Sequence, residues 1–191
     1  MKLLIASDLH GDLTAAEQVL ARFAAERAER LVWLGDLLYH GPRNALPAGY
    51  HPQGVIALLN AHREAFFCVR GNCEAEVDQM VLSFPVLADY ALLMVGPRTV
   101  FVTHGHLYNT SIPPLLRDGD VLLHGHTHLS AAEAFNLPGG GRALYLNPGS
   151  VALPKGGNEA SYMTLNTDSG DWRLCAMDGG EIQRGNLLCG W

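Results

Sequence analysis

Cysteine is scarce in this chain: four residues in 191, at positions 68, 73, 175 and 189, with no Cys-x-x-Cys pair. That spacing excludes a dense disulfide framework and a four-cysteine zinc ribbon, and it points to a reducing, cytoplasmic setting. Positive charge is also short. Thirteen Lys and Arg stand against nineteen Asp and Glu, for a net charge of −6. A chain that grips long nucleic acid or an anionic membrane needs a basic surface, and no basic stripe is visible. No apolar run approaches the roughly 18 residues of a membrane helix, and the start, Met1-Lys2-Leu3-Leu4-Ile5, is too short for a signal peptide. Charged residues make up 17 % and hydrophobic residues 48 %, which suits a chain with a sizeable core rather than a disordered one. No internal repeat or low-complexity linker divides it, so a single domain over residues 1–191 is expected.

What is present is a series of short apolar runs. Lys2 to Ala6, Leu31 to Leu34 and Phe66 to Val69 read as buried strands. Two stretches of helical spacing separate them. Leu13 to Arg30 puts Leu13, Ala16, Leu20, Phe23 and Ala24 on one face, with the Arg27 stem beside them, behind Asp12 as N-cap. Pro52 to Ala65 opens with a proline that suits the first helical turn. Strands alternating with helices argue for a parallel sheet with crossover helices. After residue 85 the character changes. Tyr90 to Val95 and Thr99 to Thr103 read as a hairpin around Gly96-Pro97-Arg98, and more strands are expected near 121–123, 131–135, 143–146, 161–166 and 172–177.

Five of the apolar runs end in residues that can hold a metal. They lead to Asp8 and His10, to Asp36, to Asn72, to His104, and to the stretch His124-Gly125-His126-Thr127-His128. Taken singly, Asp8 and Asp36 read as caps, Asn72 as a turn residue and His104 as a packed histidine. Taken together they do not, because capping does not require all of them at strand ends. Open α/β sheets bind ligands outside the carboxyl ends of their strands. Asp8, His10, Asp36, Asn72, His104, His126 and His128 are too many for one four-coordinate ion and suit two metals about 3.5–4 Å apart that share a carboxylate.

Asp-x-His, Gly-Asp, Gly-Asn, His and Gly-His-x-His, in that order, resemble the calcineurin-like metallophosphoesterase superfamily, and within it the small YfcE-type phosphodiesterases. Asp8-Leu9-His10-Gly11-Asp12, Gly41-Pro42-Arg43-Asn44, Arg70-Gly71-Asn72-Cys73-Glu74, Thr103-His104-Gly105-His106, Gly125-His126-Thr127-His128 and Asn147-Pro148-Gly149-Ser150 carry the resemblance. It implies an α/β fold, a four-layer α/β/β/α sandwich of two mixed sheets flanked by helices. It also implies that Asp8, His10 and His128 hold one divalent ion and Asn72, His104 and His126 a second, with Asp36 bridging. It favours manganese, while zinc, iron, cobalt and nickel suit the same oxygen and nitrogen donors.

One position departs from many phosphatases of the superfamily. Cys73 stands where they carry a histidine that faces the leaving group, and the YfcE-type branch is similar in having cysteine there. A thiol is a poorer proton source at neutral pH than imidazole, so Cys73 as a catalytic residue suits good leaving groups. The expected activity is therefore hydrolysis of small phosphodiesters by a metal-bound hydroxide, with no covalent intermediate. The alternatives are a phosphomonoesterase of the same fold, or a non-catalytic scaffold related to a retromer subunit. Seven intact ligand positions count against the scaffold. The expected partner is a small phosphoester, with no long nucleic acid and no membrane. His40, Arg43 and Asn44 could touch substrate; His106 and His124 could orient ligands. Asn147-Pro148-Gly149 reads as structural support. The tail Leu187-Leu188-Cys189 with Trp191 offers a surface to the core or to a partner chain, which leaves a homo-oligomer open.

Overall fold

Lys2–Ala6 forms β1, and its alternate side chains enter two different cores. Leu4 and Ala6 face one apolar cluster, Leu3 and Ile5 the other. Burial on both faces is why the run is continuously apolar. A computed structural model describes residues 1–189. The elements after β1 are α1 (Leu13–Ala25), β2 (Arg30–Trp33), α2 (Pro52–Ala61), β3 (Phe66–Cys68) and α3 (Glu76–Val81). Then come β4 (Tyr90–Val95), β5 (Arg98–Thr103), β6 (Val121–Leu123), β7 (Ser130–Asn136) and β8 (Arg142–Pro148). The last three are β9 (Ser161–Asn166), β10 (Asp171–Ala176) and β11 (Glu181–Asn186).

Two mixed sheets result, as the fold class required. One has six strands in the order β11-β10-β9-β1-β2-β3, the other five in the order β4-β5-β6-β8-β7. β1, β2 and β3 run parallel, and so do β5, β6 and β8. Leu3, Ile5 and Val32 meet Val102, Leu123 and Leu146 between the sheets. On the other face of the first sheet, Ala16 and Val19 of α1 and Leu59 of α2 cover Leu4, Leu31 and Trp33. Each such large side chain removed from water contributes about 1.5–3 kcal/mol. The irregular segment 104–120 lies against the outer face of the second sheet, where Tyr108 packs edge-on to Phe101.

Asp12 caps α1 as expected, its Oδ1 accepting from Ala15 N at 2.9 Å. The helix stops at Ala25 rather than Arg30. Arg27 takes a left-handed φ of 51°, and the Ala28 and Arg27 amides donate to the Phe23 and Ala24 carbonyls. This is a Schellman ending with arginine where glycine is usual, so no glycine marked it. Likewise α2 ends at Ala61, and a single 3-10 turn, Arg63–Ala65, follows. Neither α3 nor β11 was anticipated: α3 has six residues, and β11 is an exposed edge strand without apolar alternation. Leu187 is buried in the core between the sheets, while the expectation for Trp191 lies outside the described residues.

Candidate metal centre

The carboxyl ends of β1, β2, β3, β5 and β6 deliver their side chains to one rim. Immediately beyond the strands the backbone turns sharply. Among the described residues, the non-glycine positions with positive φ are Asp8, His10, Asp36, His126 and His128, apart from Arg27. Left-handed backbone costs an L-residue about 1–2 kcal/mol, and strain of this kind concentrates where function requires it. Backbone bonds hold the turns in place: His10 N donates to Asp36 O at 2.8 Å and Gly11 N to Leu37 O at 2.8 Å. The glycines of the motifs have steric causes. A Cβ on Gly71 would collide with Asp36 Oδ1, and one on Gly125 with Ser7 Oγ.

Three imidazoles are held in one tautomer. Nδ1 of His10 lies 2.8 Å from the Tyr39 carbonyl, Nδ1 of His128 2.6 Å from that of Leu153, and Nδ1 of His104 2.7 Å from that of Leu34. A carbonyl only accepts, so each Nδ1 carries the proton, and in its neutral form each ring turns an Nε2 lone pair inward. Nε2 of His10 and Nε2 of His128 then face each other at 3.3 Å. Nε2 of His104 faces the Asn72 amide oxygen at 3.1 Å and Nδ1 of His126 at 3.2 Å.

The carboxylates complete the pattern. Asp8 is fully buried. Its Oδ2 accepts from Ser7 Oγ at 2.6 Å and from His126 N at 3.0 Å. Its Oδ1 has no hydrogen-bond donor and lies 3.4 Å from His128 Nε2. Asp36 stands between the two histidine groups, with Oδ2 3.7 Å from His10 Nε2 and Oδ1 3.5 Å from His104 Nε2. Burial pushes the Asp8 carboxyl up, but the imidazoles of His10, His104 and His128 around it and the Ser7 hydroxyl outweigh that and hold it below the usual range. Burial draws His10 down, yet Asp8, the Tyr39 carbonyl and Asp36 raise it overall. For His126 and His128 burial prevails and lowers both. Acceptors pointing at acceptors, with an orphaned buried carboxylate oxygen among them, fit a divalent cation in a way they fit nothing neutral.

The seven residues singled out from the sequence are thus brought together. Cys73 joins them, half-buried, its Sγ accepting from Asn72 Nδ2 at 3.3 Å and its N donating to Asp36 Oδ1 at 2.9 Å. Burial and the Asp36, Glu74 and Asp8 carboxylates push its thiol up. A cavity of about 280 Å³ opens over the cluster; Arg43 and Asn44 line it. His40 does not: its ring packs edge-on against Tyr39 and Tyr50. His124 stacks on Tyr145 at 4.4 Å, and burial lowers it to about 4. His106 lies beside His104, with ring centroids 5.4 Å apart. Orientation of the three fixed rings falls instead to backbone carbonyls. The Asn147 turn does support the site, since Asn147 Nδ2 donates to Gly125 O at 3.0 Å and Ser150 Oγ to Asp8 O at 2.8 Å.

Two further participants have no role assigned from the sequence, although Glu74 belongs to one of its motifs. Lys155 lines the cavity from the loop after β8. Glu74 is buried and accepts from three backbone amides: Asp36 N at 2.9 Å, Leu37 N at 2.7 Å and Gly71 N at 2.5 Å. Burial and the Asp36 charge push its carboxyl up to about 7, against the hydrogen bonds from Leu37, Asp36 and Gly71. Its only sequence signal was its place directly after Gly71-Asn72-Cys73.

Comparison with known proteins gives a consistent result. The chain is 50 % identical over 168 residues to the phosphodiesterase YfcE of Escherichia coli (strain K12), spanning 88 % of this chain and 89 % of that one. It is 31 % identical over 192 residues to the probable metallophosphoesterase YsnB of Bacillus subtilis (strain 168), covering 96 % and 95 %. A solved structure of YfcE, described as a phosphoesterase from E. coli, superposes with a TM-score of 0.90 at 46 % identity, covering 98 % of this chain and all of the other. Residues 1–170 match the model of the calcineurin-like phosphoesterase superfamily domain, and the chain belongs to that superfamily.

Proposed function

We propose that this protein is a metal-dependent phosphodiesterase acting on small phosphodiesters, with two divalent ions at the rim of the sheets. The observation that carries the proposal is the inward turn of the fixed Nε2 lone pairs of His10, His104 and His128 onto Asp8 and Asp36. Asp8, His10 and His128 would hold one ion and Asn72, His104 and His126 the other, with one oxygen of Asp36 turned toward each group. Bound divalent ions supply positive charge for the phosphoryl oxygens and a water acidic enough to attack at neutral pH. Manganese is the proposed metal, on the resemblance to the family. The activity of YfcE supports the diesterase reading, and the chain aligns with most of that protein.

The residues around the cluster do the rest. Left-handed turns and backbone bonds keep the donors rigid, so little reorganisation accompanies binding. Cys73 presents a neutral thiol, which repels neither a phosphate nor its leaving group and gives up a proton poorly. A good leaving group needs no such proton, so aryl diesters are the fitting substrates. Among the described residues no helix is long and apolar enough to cross a membrane. We place the protein in the cytoplasm on its sparse, unpaired cysteines.

The test is a matrix of metals and substrates. The chain is stripped, reloaded with one divalent ion at a time, and assayed on matched aryl mono- and diesters. Diester turnover with manganese and faster than monoester turnover is expected. Faster monoester turnover would favour the phosphomonoesterase alternative, and no turnover with any ion would favour the scaffold. In the same assay, Cys73→His is expected to raise the monoester-to-diester ratio by roughly tenfold or more, within the usual range of a general acid. An unchanged ratio would show that position 73 does not govern the leaving group.

A further inference from the structure

The cavity over the metal cluster carries two cations that hydrolysis of a simple diester does not require. Arg43 reaches it from the loop after β2, and Lys155 from the loop after β8. Both side chains are exposed, and neither has an ion-pair or hydrogen-bond partner among the described residues. The chain as a whole has a net charge of −6, so two unpaired cations beside one cavity run against its general character.

Their backbones are held, although their side chains are free. Lys155 N donates to the carbonyl of His128 at 3.1 Å, which ties it to the cluster. Its own carbonyl accepts from Asn158 N at 3.0 Å and Asn158 Nδ2 at 2.8 Å. Arg43 sits in a turn closed by Asn44 N on Gly41 O at 3.3 Å, and Asn44 Nδ2 donates to His40 O at 2.9 Å. A diester phosphate carries one negative charge, and the metal cluster already attracts it. Two further cations over the same cavity match a second anionic group on the substrate. Long arginine and lysine side chains suit that role, because they reach a phosphate or carboxylate without a rigid frame.

We infer that Arg43 and Lys155 form an anion subsite that selects phosphodiesters carrying a second anionic group next to the scissile phosphate. The inference rests on the phosphodiesterase reading and narrows its substrate class. The two cations determine specificity and take no part in bond cleavage.

The test compares thymidine 5′-(4-nitrophenyl phosphate) with the same ester bearing a 3′-phosphate, using the full chain loaded with manganese. The leaving group is identical, so the ratio of the two kcat/KM values reads the second anion alone. We expect the wild-type protein to favour the 3′-phosphorylated ester by about tenfold, the size of one partly screened charge contact. Arg43→Met and Lys155→Met should each reduce that ratio, and the double variant should bring it close to one. A wild-type ratio near one, or a ratio unaltered in the double variant, would overturn the subsite. Binding supplies a second readout. Thymidine 3′,5′-bisphosphate should bind the loaded protein about tenfold more tightly than thymidine 5′-phosphate, with the difference lost in the double variant. If neither ester is turned over with any divalent ion, the diesterase reading fails. The subsite is then upheld by that binding difference, or overturned by its absence.

Discussion

Asp36→Asn is expected to lower kcat/KM for an aryl diester by about a thousandfold while leaving the fold intact. Asparagine keeps the size of the side chain and accepts the left-handed backbone, which at Asp36 has φ of 57°. Its amide oxygen can still accept from Cys73 N, now 2.9 Å from Oδ1. What it loses is the negative charge and one of two outward-facing oxygens. Those oxygens lie 3.7 Å from His10 Nε2 and 3.5 Å from His104 Nε2, so both halves of the cluster lose an anionic donor at once. Loss of about 4 kcal/mol of charge stabilisation corresponds to about three powers of ten in rate. Circular dichroism should be unaltered. Turnover like that of the wild type would remove Asp36 from the centre of the account.

Glu74→Ala should act chiefly on stability, and through it on activity. The carboxylate gathers the amides of Asp36, Leu37 and Gly71, and so ties the loop after β2 to the loop after β3. Glu74 is only 4 % exposed, so water reaches these amides poorly once it is gone. Each buried amide left without a partner costs about 1–3 kcal/mol. A total of about 4 kcal/mol is expected, which for a chain of this size lowers Tm by about 8–16 °C. Glu74→Gln should fall between the two proteins, because the amide replaces one acceptor with a donor that faces an N–H. Diester turnover measured well below the new Tm should also drop, since Asp36 and Asn72 lose their common tether. A Tm within about 2 °C of wild type for Glu74→Ala would mean that water or neighbouring groups replace the carboxylate.

Much of this architecture was legible in the residues, for reasons that can be named. Strands buried on both faces write themselves as unbroken apolar runs, so β1, β2 and β6 were found within a residue or so; β3 was equally legible as an apolar run, although its Phe67 faces solvent. Metal-binding groups at their ends stood out because five runs ended alike. The illegible parts have equally specific causes. The turn at Arg27 uses a left-handed arginine, and propensity reasoning looks there for glycine. The left-handed turns at Asp8, His10, Asp36, His126 and His128 fall on Asp and His, which tolerate that backbone better than most residues, but it is the surrounding structure that imposes them at these positions. The carbonyls of Leu34, Tyr39 and Leu153, which fix the imidazole tautomers, belong to the backbone and have no side-chain signature. Lys155 lies in a loop whose path no periodicity reveals, so its place beside His128 emerges only in three dimensions.

The central claim is that converging lone pairs grip a pair of divalent ions, and equilibrium dialysis of the stripped chain against manganese addresses it most directly. Two ions per chain are expected for the wild-type protein, with His10→Ala and His104→Ala each losing one and Asp36→Asn weakening both. No binding above background, or a stoichiometry that the three substitutions leave unmoved, would contradict the account.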